Sequence, residues 1–180
     1  MPFFLDMNTP PEGEDLREHL VAKYGREAIE RFERPNNPLD VAGAKVGIQF
    51  NKGRRFINTV DCHRLVEWCN RENPQKSDAL MQKMFHAYFE EAKDLSKRDE
   101  LEAVATEVGL SSEDVGTVLG NKDMYRQEVI DADRQAKHSM RVSGVPYFII
   151  ENCNGRPTAF SGAQPPEVIA EVLLESCEDA

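Results

Sequence analysis

A mostly helical α/β chain, with its strand-forming residues confined to the two ends, is the fold class that this sequence predicts. Three observations carry the expectation. Through the long middle of the chain, apolar residues recur at three- and four-residue spacing. A short unbroken apolar run rich in β-formers, Tyr147-Phe148-Ile149-Ile150, comes only after Val142, as expected of a strand buried on both faces. Turn material, Asn152-Cys153-Asn154-Gly155-Arg156-Pro157, then lets Thr158 to Ser161 return as an antiparallel partner.

The elements follow in order. Phe3-Phe4-Leu5 reads as a scrap of strand, running into the polar turn Asn8-Thr9-Pro10-Pro11. From Glu14 to about Arg34 the spacing of Leu16, Leu20, Tyr24, Ile29 and Phe32 predicts a helix, broken by Arg34-Pro35-Asn36-Asn37-Pro38. Residues 39–57 are expected as a loop with at most one short extended piece, ending in the basic cluster Lys52-Gly53-Arg54-Arg55. Asn58 or Thr59 can cap a helix carrying Val60, Leu65, Val66 and Cys69, closed by Glu72-Asn73-Pro74. Ser77 is expected to cap the next helix. There two adjacent rows, Leu80-Met84-Tyr88 and Met81-Phe85-Phe89, predict a broad buried face. A third stripe of Leu101, Val104, Ala105 and Val108 stops at Gly109, and Ser111-Ser112-Glu113-Asp114 fits a capping box for a short helix. A long helix is expected from about Asp123 to Met140, and a last one opens at Pro165-Pro166-Glu167.

Composition excludes several functions. At 180 residues the chain is one domain, or one domain carrying an insertion, and needs no disulfide staple to fold. With 22 Lys+Arg against 32 Asp+Glu, the net charge of −10 repels phosphate backbones and anionic lipid, so no nucleic-acid or membrane partner is expected. No stretch approaches the roughly 18 apolar residues of a membrane span. Met1-Pro2-Phe3-Phe4-Leu5-Asp6 lacks the basic region and the apolar length of a secretory signal. Among Cys62, Cys69, Cys153 and Cys177 there is no C-x-x-C pair. Cys62 and Cys69 fall on one expected helix, separated by a rise of roughly 10 Å, too far to bridge. They are read as reduced thiols of a cytoplasmic protein, with no metal site and no cofactor.

Val142-Ser143-Gly144-Val145-Pro146 is the most informative stretch. A proline at the first residue of a buried strand removes a ladder donor, which a fold normally avoids. Two readings stand: a trans proline starting an edge strand, or a cis Val145–Pro146 bond that turns the chain and leaves the backbone of Val145 free for a guest. The order of elements, a long helix before and strand, turn, strand and helix after, favours the second.

This stretch, with Tyr147-Phe148-Ile149-Ile150 and Ser161-Gly162-Ala163-Gln164-Pro165-Pro166-Glu167-Val168, closely resembles the FrnE-like branch of the DsbA family of thioredoxin-fold oxidoreductases. Pro10-Pro11-Glu12-Gly13-Glu14-Asp15-Leu16, Asn58-Thr59 with His63-Arg64-Leu65, and Leu80 to Phe89 extend the likeness over nearly the whole chain. The resemblance implies a thioredoxin-like fold with a large all-helical insertion. Residues 1–11 would be a remnant of the N-terminal thioredoxin half, residues 12–140 the insertion, and residues 141–180 the C-terminal half. It implies thiol–disulfide exchange by a Cys-x-x-Cys at the start of the first helix, or, in the related kappa-class glutathione transferases and 2-hydroxychromene-2-carboxylate isomerases, glutathione chemistry at a serine. In both, the cis-proline loop faces the reactive residue.

The likeness begins in the family's second strand, at Phe3-Phe4-Leu5. The first strand and first helix are therefore expected to be missing, with a truncated gene model as the plainest explanation. Such a chain lacks the redox motif and is expected to be inactive as given. No catalytic residue is assigned, and Gly144, Val145, Pro146, Asn58 and His63 are the substrate-binding candidates. Asn58, Thr59 and His63 can share a helical face turned towards the substrate. The expected partner is a thiol- or disulfide-bearing peptide or glutathione, and a second copy or strand-completing partner would cover the exposed sheet edges. Alternatives are a non-catalytic peptide- or glutathione-binding module and a glutathione-dependent transferase or isomerase. Cys62 is a reactive thiol only if His63 lowers its pKa, and otherwise a packed helix residue. His19, His86 and His138 read as surface or packing residues, and Lys52 to Arg55 as a solvated charge run rather than an anion site. Glu90-Glu91 and Glu12-Gly13-Glu14-Asp15 read as solvated faces.

Overall fold

The computed structural model describes residues 1–151, 155 and 157–178. Two compact units divide the chain, one formed by Met1–Leu5 with Asp131–Ala180 and the other by Asp6–Ile130. No helix among the described residues is long and apolar enough to cross a membrane.

The larger unit begins with a turn in which Gly13 N–H donates to Pro10 O at 2.8 Å. Gly13 has φ +69°, and a Cβ there would meet Phe56 O at 2.8 Å, so only glycine fits. That close approach lets Glu14 and Phe56 exchange two backbone hydrogen bonds, of 2.8 and 3.0 Å. Asp15 then caps α1 (Leu16–Tyr24), accepting from Arg17 N and Glu18 N. The single helix expected over Glu14 to Arg34 is two helices. Gly25 takes φ 80° and ψ 171°, which no helix accommodates, and α2 (Arg26–Glu33) restarts beyond it.

Residues 39–57 also differ from expectation, because Pro38–Lys45 is a helix, α3. What looks like a breaker, Asn37-Pro38, is its start. Asn37 Oδ1 accepts from Leu39 N and Asp40 N, both at 3.0 Å, while its Nδ2 donates to Phe32 O at 2.9 Å and Asp40 Oδ2 at 2.8 Å. Pro38 follows at the first helical position, where a missing N–H costs nothing.

Four helices build the main core: α4 (Val60–Glu72), α5 (Pro74–Phe89), α6 (Arg98–Glu107) and α7 (Ser112–Gly120). Leu65, Trp68 and Cys69 on α4 repeat the i, i+3, i+4 spacing of a buried stripe. So do Leu101, Val104 and Ala105 on α6, and Val115, Val118 and Leu119 on α7. Leu80, Met84 and Ala87 supply the stripe of α5. Burying each of the larger side chains contributes about 1.5–3 kcal/mol. Ser111 caps α7 through Asp114 N, as its sequence predicts. Two expectations for α5 need correction. The helix starts at Pro74, so Ser77 lies inside it and bonds Asn70 Oδ1 rather than capping. Its two apolar rows are buried only in part: Leu80 and Met84 are enclosed, Met81, Tyr88 and Phe89 are half-buried, and Phe85 is exposed.

In the smaller unit, Phe3-Phe4-Leu5 is not a strand. Phe4 is buried, and side chains satisfy its main chain. Asp133 Oδ1 accepts from Phe4 N at 2.8 Å, and Lys137 Nζ donates to Phe4 O at 2.7 Å. Asp133 and Lys137 are themselves an ion pair at 2.9 Å, and the ammonium lies 4.9 Å from the Phe3 ring centroid. An i, i+4 pair on a helix thus takes the part of a neighbouring strand. That helix, expected from about Asp123, is α8 (Arg126–Arg134), continued by a π-helical turn over Gln135–Ser139. It begins late because Tyr125 has φ 59°.

Two antiparallel strands follow, β1 (Tyr147–Glu151) and β2 (Pro157–Ser161), in register from Tyr147↔Ser161 to Glu151↔Pro157. Helix α9 (Pro166–Glu178) packs on β1. The expectation that β1 is buried on both faces does not hold, since Phe148 is 36 % and Ile149 41 % exposed. Among the described residues the sheet has only these two strands, too few to enclose either side chain.

Candidate functional site

The loop Gly144-Val145-Pro146 leads directly into β1. Pro146 O accepts from Gly162 N at 2.9 Å, tying the loop to the turn after β2. The Val145–Pro146 peptide bond is cis. Val145 is 53 % exposed, and neither its N–H nor its C=O has a partner among the described residues. Space around Gly144 is open, with nothing within 4 Å of where a Cβ would stand. A donor and an acceptor left free at the start of a strand can pair with an extended peptide backbone.

Asn58 and His63 lie in the larger unit. Asn58 Nδ2 donates to Thr9 O at 2.7 Å and its Oδ1 accepts from Val60 N at 3.0 Å, so both ends of the amide fasten the Thr9 turn to the start of α4. Asn58, not Thr59, supplies the cap, because the Thr59 side chain makes no capping bond. One turn on, His63 is half-buried and its backbone N–H donates to Thr59 O. The structure therefore groups Asn58, Thr59 and His63 at one helix start, and Gly144, Val145 and Pro146 in one loop of the other unit.

No described cysteine is placed as a nucleophile. Burial pushes the Cys62 thiol up to about 12, with the negative charge of Asp61 adding to the rise. Its Sγ donates to Leu95 O at 3.7 Å. It is a packed helix residue. Cys69 is buried, and its pKa too is raised, by burial first. Cys177 is exposed on α9, and Cys153 lies outside the described residues. In iodoacetamide at pH 8, Cys177 should be alkylated before Cys62 and Cys69, with Cys62 slower by about 10²-fold or more, as peptide mass mapping over time would record. The same shift has a sign for stability. An unfolded chain ionises Cys62 near its ordinary 9.0 and the folded one only near 12, so stability falls as pH rises through that interval.

The basic cluster stays open to solvent, with Arg55 exposed and Lys52 and Arg54 half-buried, while its charges find partners within the chain. Lys52 pairs with Asp40 at 2.8 Å and Arg55 with Asp94 at 3.6 Å. The Arg54 guanidinium lies 5.7, 5.9 and 5.3 Å from the ring centroids of Phe32, Tyr88 and Phe89. His19 stacks on Phe56 at 3.6 Å and bonds Glu14 Oε1 at 2.7 Å. That bond takes Glu14 out of the solvated face expected of it, and Glu90 Oε2 likewise accepts from Gln49 N at 3.1 Å. His86 pairs with Glu91 at 3.1 Å. Among the described residues no group of three His, Cys, Asp or Glu could hold a metal.

Sequence reasoning gives Arg64 no role, yet it is the most fully engaged polar side chain of α4. It is 0 % exposed, with Nε donating to Met124 O at 2.7 Å, Nη2 to Val118 O at 2.6 Å and to Asn121 O, and Nη1 paired with Asp61 at 2.6 Å. The available signal is positional. Arg64 precedes Trp68 by four residues, which puts a charge on the helix's apolar face.

Comparison with known proteins adds two likenesses. A family model for the DSBA-like thioredoxin domain matches residues 2–174. A probable DsbA oxidoreductase from Streptomyces coelicolor is similar in structure, with a TM-score of 0.83 and 26% identity, over 97% of this chain and 72% of that one. No curated protein matches the chain.

Proposed function

Because the chain belongs to the DsbA-like thioredoxin domain family and has its thioredoxin-like fold, mostly helical with a small two-stranded sheet, we propose that it serves as the substrate-holding part of a FrnE-like thiol–disulfide oxidoreductase. Gly144, Val145 and Pro146 grip a cysteine-bearing peptide or glutathione, and the four cysteines, none spaced C-x-x-C, supply no redox pair. The observation that carries this reading is the exposed Val145, whose backbone donor and acceptor have no partner among the described residues, beside β1. Extended peptides add to such groups by main-chain hydrogen bonds, while the side chain beside them selects what fits. A strand laid against the outer edge of β1 would also cover Phe148 and Ile149.

Titrating isotope-labelled protein with a cysteine-containing peptide, and separately with oxidised glutathione, tests this. Amide shifts should centre on residues 144–147 and Gly162. Val145→Glu should weaken binding by about tenfold, the equivalent of losing one half-buried apolar contact. Insulin reduction by dithiothreitol should not accelerate in the presence of this chain. Shifts that avoid residues 144–147 overturn the holding role, and accelerated insulin reduction overturns the claim that these cysteines form no redox pair. Binding of glutathione with no response to the peptide would favour the glutathione-dependent transferase or isomerase instead.

A further inference from the structure

Helix α9 has two apolar faces, and the sheet covers only one of them. Ile169 and Val172, with Ser176, are half-buried on the side that meets β1, and Ser176 Oγ donates back to Val172 O at 2.7 Å. Ala170, Leu173, Leu174 and Cys177 form the second face. They have the i, i+3, i+4, i+7 spacing that marks a helix face for burial. Yet all of them are exposed, Leu173 at 48 % and Leu174 at 66 %. At 3.6 residues per turn, this seam lies between the half-buried side and a row of carboxylates, Glu167, Glu171 and Glu175. These glutamates are exposed and in no ion pair among the described residues. The helix itself contains no lysine or arginine to answer them.

Spacing and charge together narrow the occupant. An apolar seam at three- and four-residue intervals is what one helix offers another, and the charges along its border set the choice of partner. Carboxylates on that border call for cations on the facing helix, at intervals of roughly 6 Å, the rise of four residues. A second copy of α9 does not supply them. Laid antiparallel, it sets glutamate row against glutamate row, and laid parallel, it sets that row against the side β1 already occupies. Anionic lipid is repelled by the same carboxylates. We propose that the outer face of α9 docks an amphipathic helix of a partner polypeptide. Its apolar side chains cover Leu173 and Leu174, and its lysines or arginines meet Glu167, Glu171 and Glu175. The proposal is independent of the role given to Val145.

The probe is a synthetic helical peptide of about three heptads, with leucine at the seam positions and lysine beside them. In calorimetry it should bind saturably. A version with glutamate for lysine, and one with the same residues in scrambled order, should each bind about tenfold more weakly or worse. Amide shifts in labelled protein should centre on residues 166–177. Leu173→Ser with Leu174→Ser should raise Kd by about tenfold, and so should Glu167→Gln, Glu171→Gln and Glu175→Gln together. All these side chains are exposed and free to change without unfolding the chain. Glu18→Gln, Glu30→Gln and Asp99→Asn together remove as much charge from the larger unit and should leave Kd unchanged, which separates the seam from the general attraction of a −10 chain. Glu167→Lys, Glu171→Lys and Glu175→Lys together should turn the preference to the glutamate peptide. Absence of saturable binding, equal binding of the scrambled peptide, or equal losses from the two charge-neutralising variants overturns the proposal. Shifts at residues 144–147 instead of 166–177 overturn it while leaving the reading of Val145 standing. A dimer of the free protein that Leu173→Ser with Leu174→Ser dissociates would give the seam to a second copy and overturn it as well.

Discussion

Arg64→Met is expected to lower the unfolding free energy by about 3–5 kcal/mol, read as a shifted urea midpoint. Methionine keeps the length and the apolar contacts of the side chain, so the loss isolates the guanidinium. The main-chain carbonyls of Val118, Asn121 and Met124 lose the guanidinium at once, although Asn121 O still accepts from Met124 N at 3.1 Å. An unsatisfied buried acceptor costs about 1–3 kcal/mol, and a hydrogen bond from a charged donor is stronger than one between neutral groups. Asp61 is not stranded in the exchange, because its side chain is 42% exposed and can hydrate. Arg64→Lys should recover only part of the stability, since one ammonium cannot reach three divergent carbonyls while also pairing with Asp61. A midpoint change worth less than about 1 kcal/mol would mean that water replaces the guanidinium there.

Asp133→Ala is the second large effect, at about 2–3 kcal/mol, and it falls on the smaller unit. Its carboxylate takes the Phe4 N–H and orients Lys137, which in turn takes the Phe4 carbonyl. Removing it leaves a buried amide without that acceptor and lets the ammonium swing to water. Asp133→Asn keeps an oxygen for Phe4 N–H but loses the charge pair. The cost should be smaller, because Lys137 is about one-third exposed and the pair is partly screened. Hydrogen exchange at the Phe4 amide gives the direct measurement. Its protection should drop by about 30- to 160-fold in the alanine variant, in step with the lost free energy. Unchanged protection would show that Phe4 is anchored by packing alone.

These two side chains also mark where sequence reasoning stops. Local rules read the helix-forming stripes well, because Leu101, Val104 and Ala105 or Val115, Val118 and Leu119 declare a buried face by spacing alone. Ser111 and the β1–β2 pairing were legible for the same reason, as each depends on residues a few positions apart. Asn37-Pro38 misleads because the same dipeptide ends one helix and starts another, and the choice rests on Phe32 O lying within reach of the Asn37 amide. Phe85 misleads because spacing shows that a face is apolar, not whether anything covers it. Arg64 and Asp133 are harder still. Their main-chain partners lie 54 to 129 positions away, and a charge in the sequence gives no sign of which distant carbonyl or amide it will meet. At the candidate site, Gly144-Val145-Pro146 was legible as a local oddity, a proline where a ladder donor belongs. The engagement of Asn58 with Thr9 was not, since it joins two loops 49 positions apart.

Arg54, resting against Phe32, Tyr88 and Phe89, has a consequence for how the molecule greets ions in solution. Those rings half-bury Arg54, and Arg64 is fully enclosed, whereas Glu72 and Asp114 are exposed and in no ion pair among the described residues. An approaching solute therefore meets a more one-sided field than the formal balance of the chain suggests. Multivalent cations should gather near this protein and sulfate should stay away.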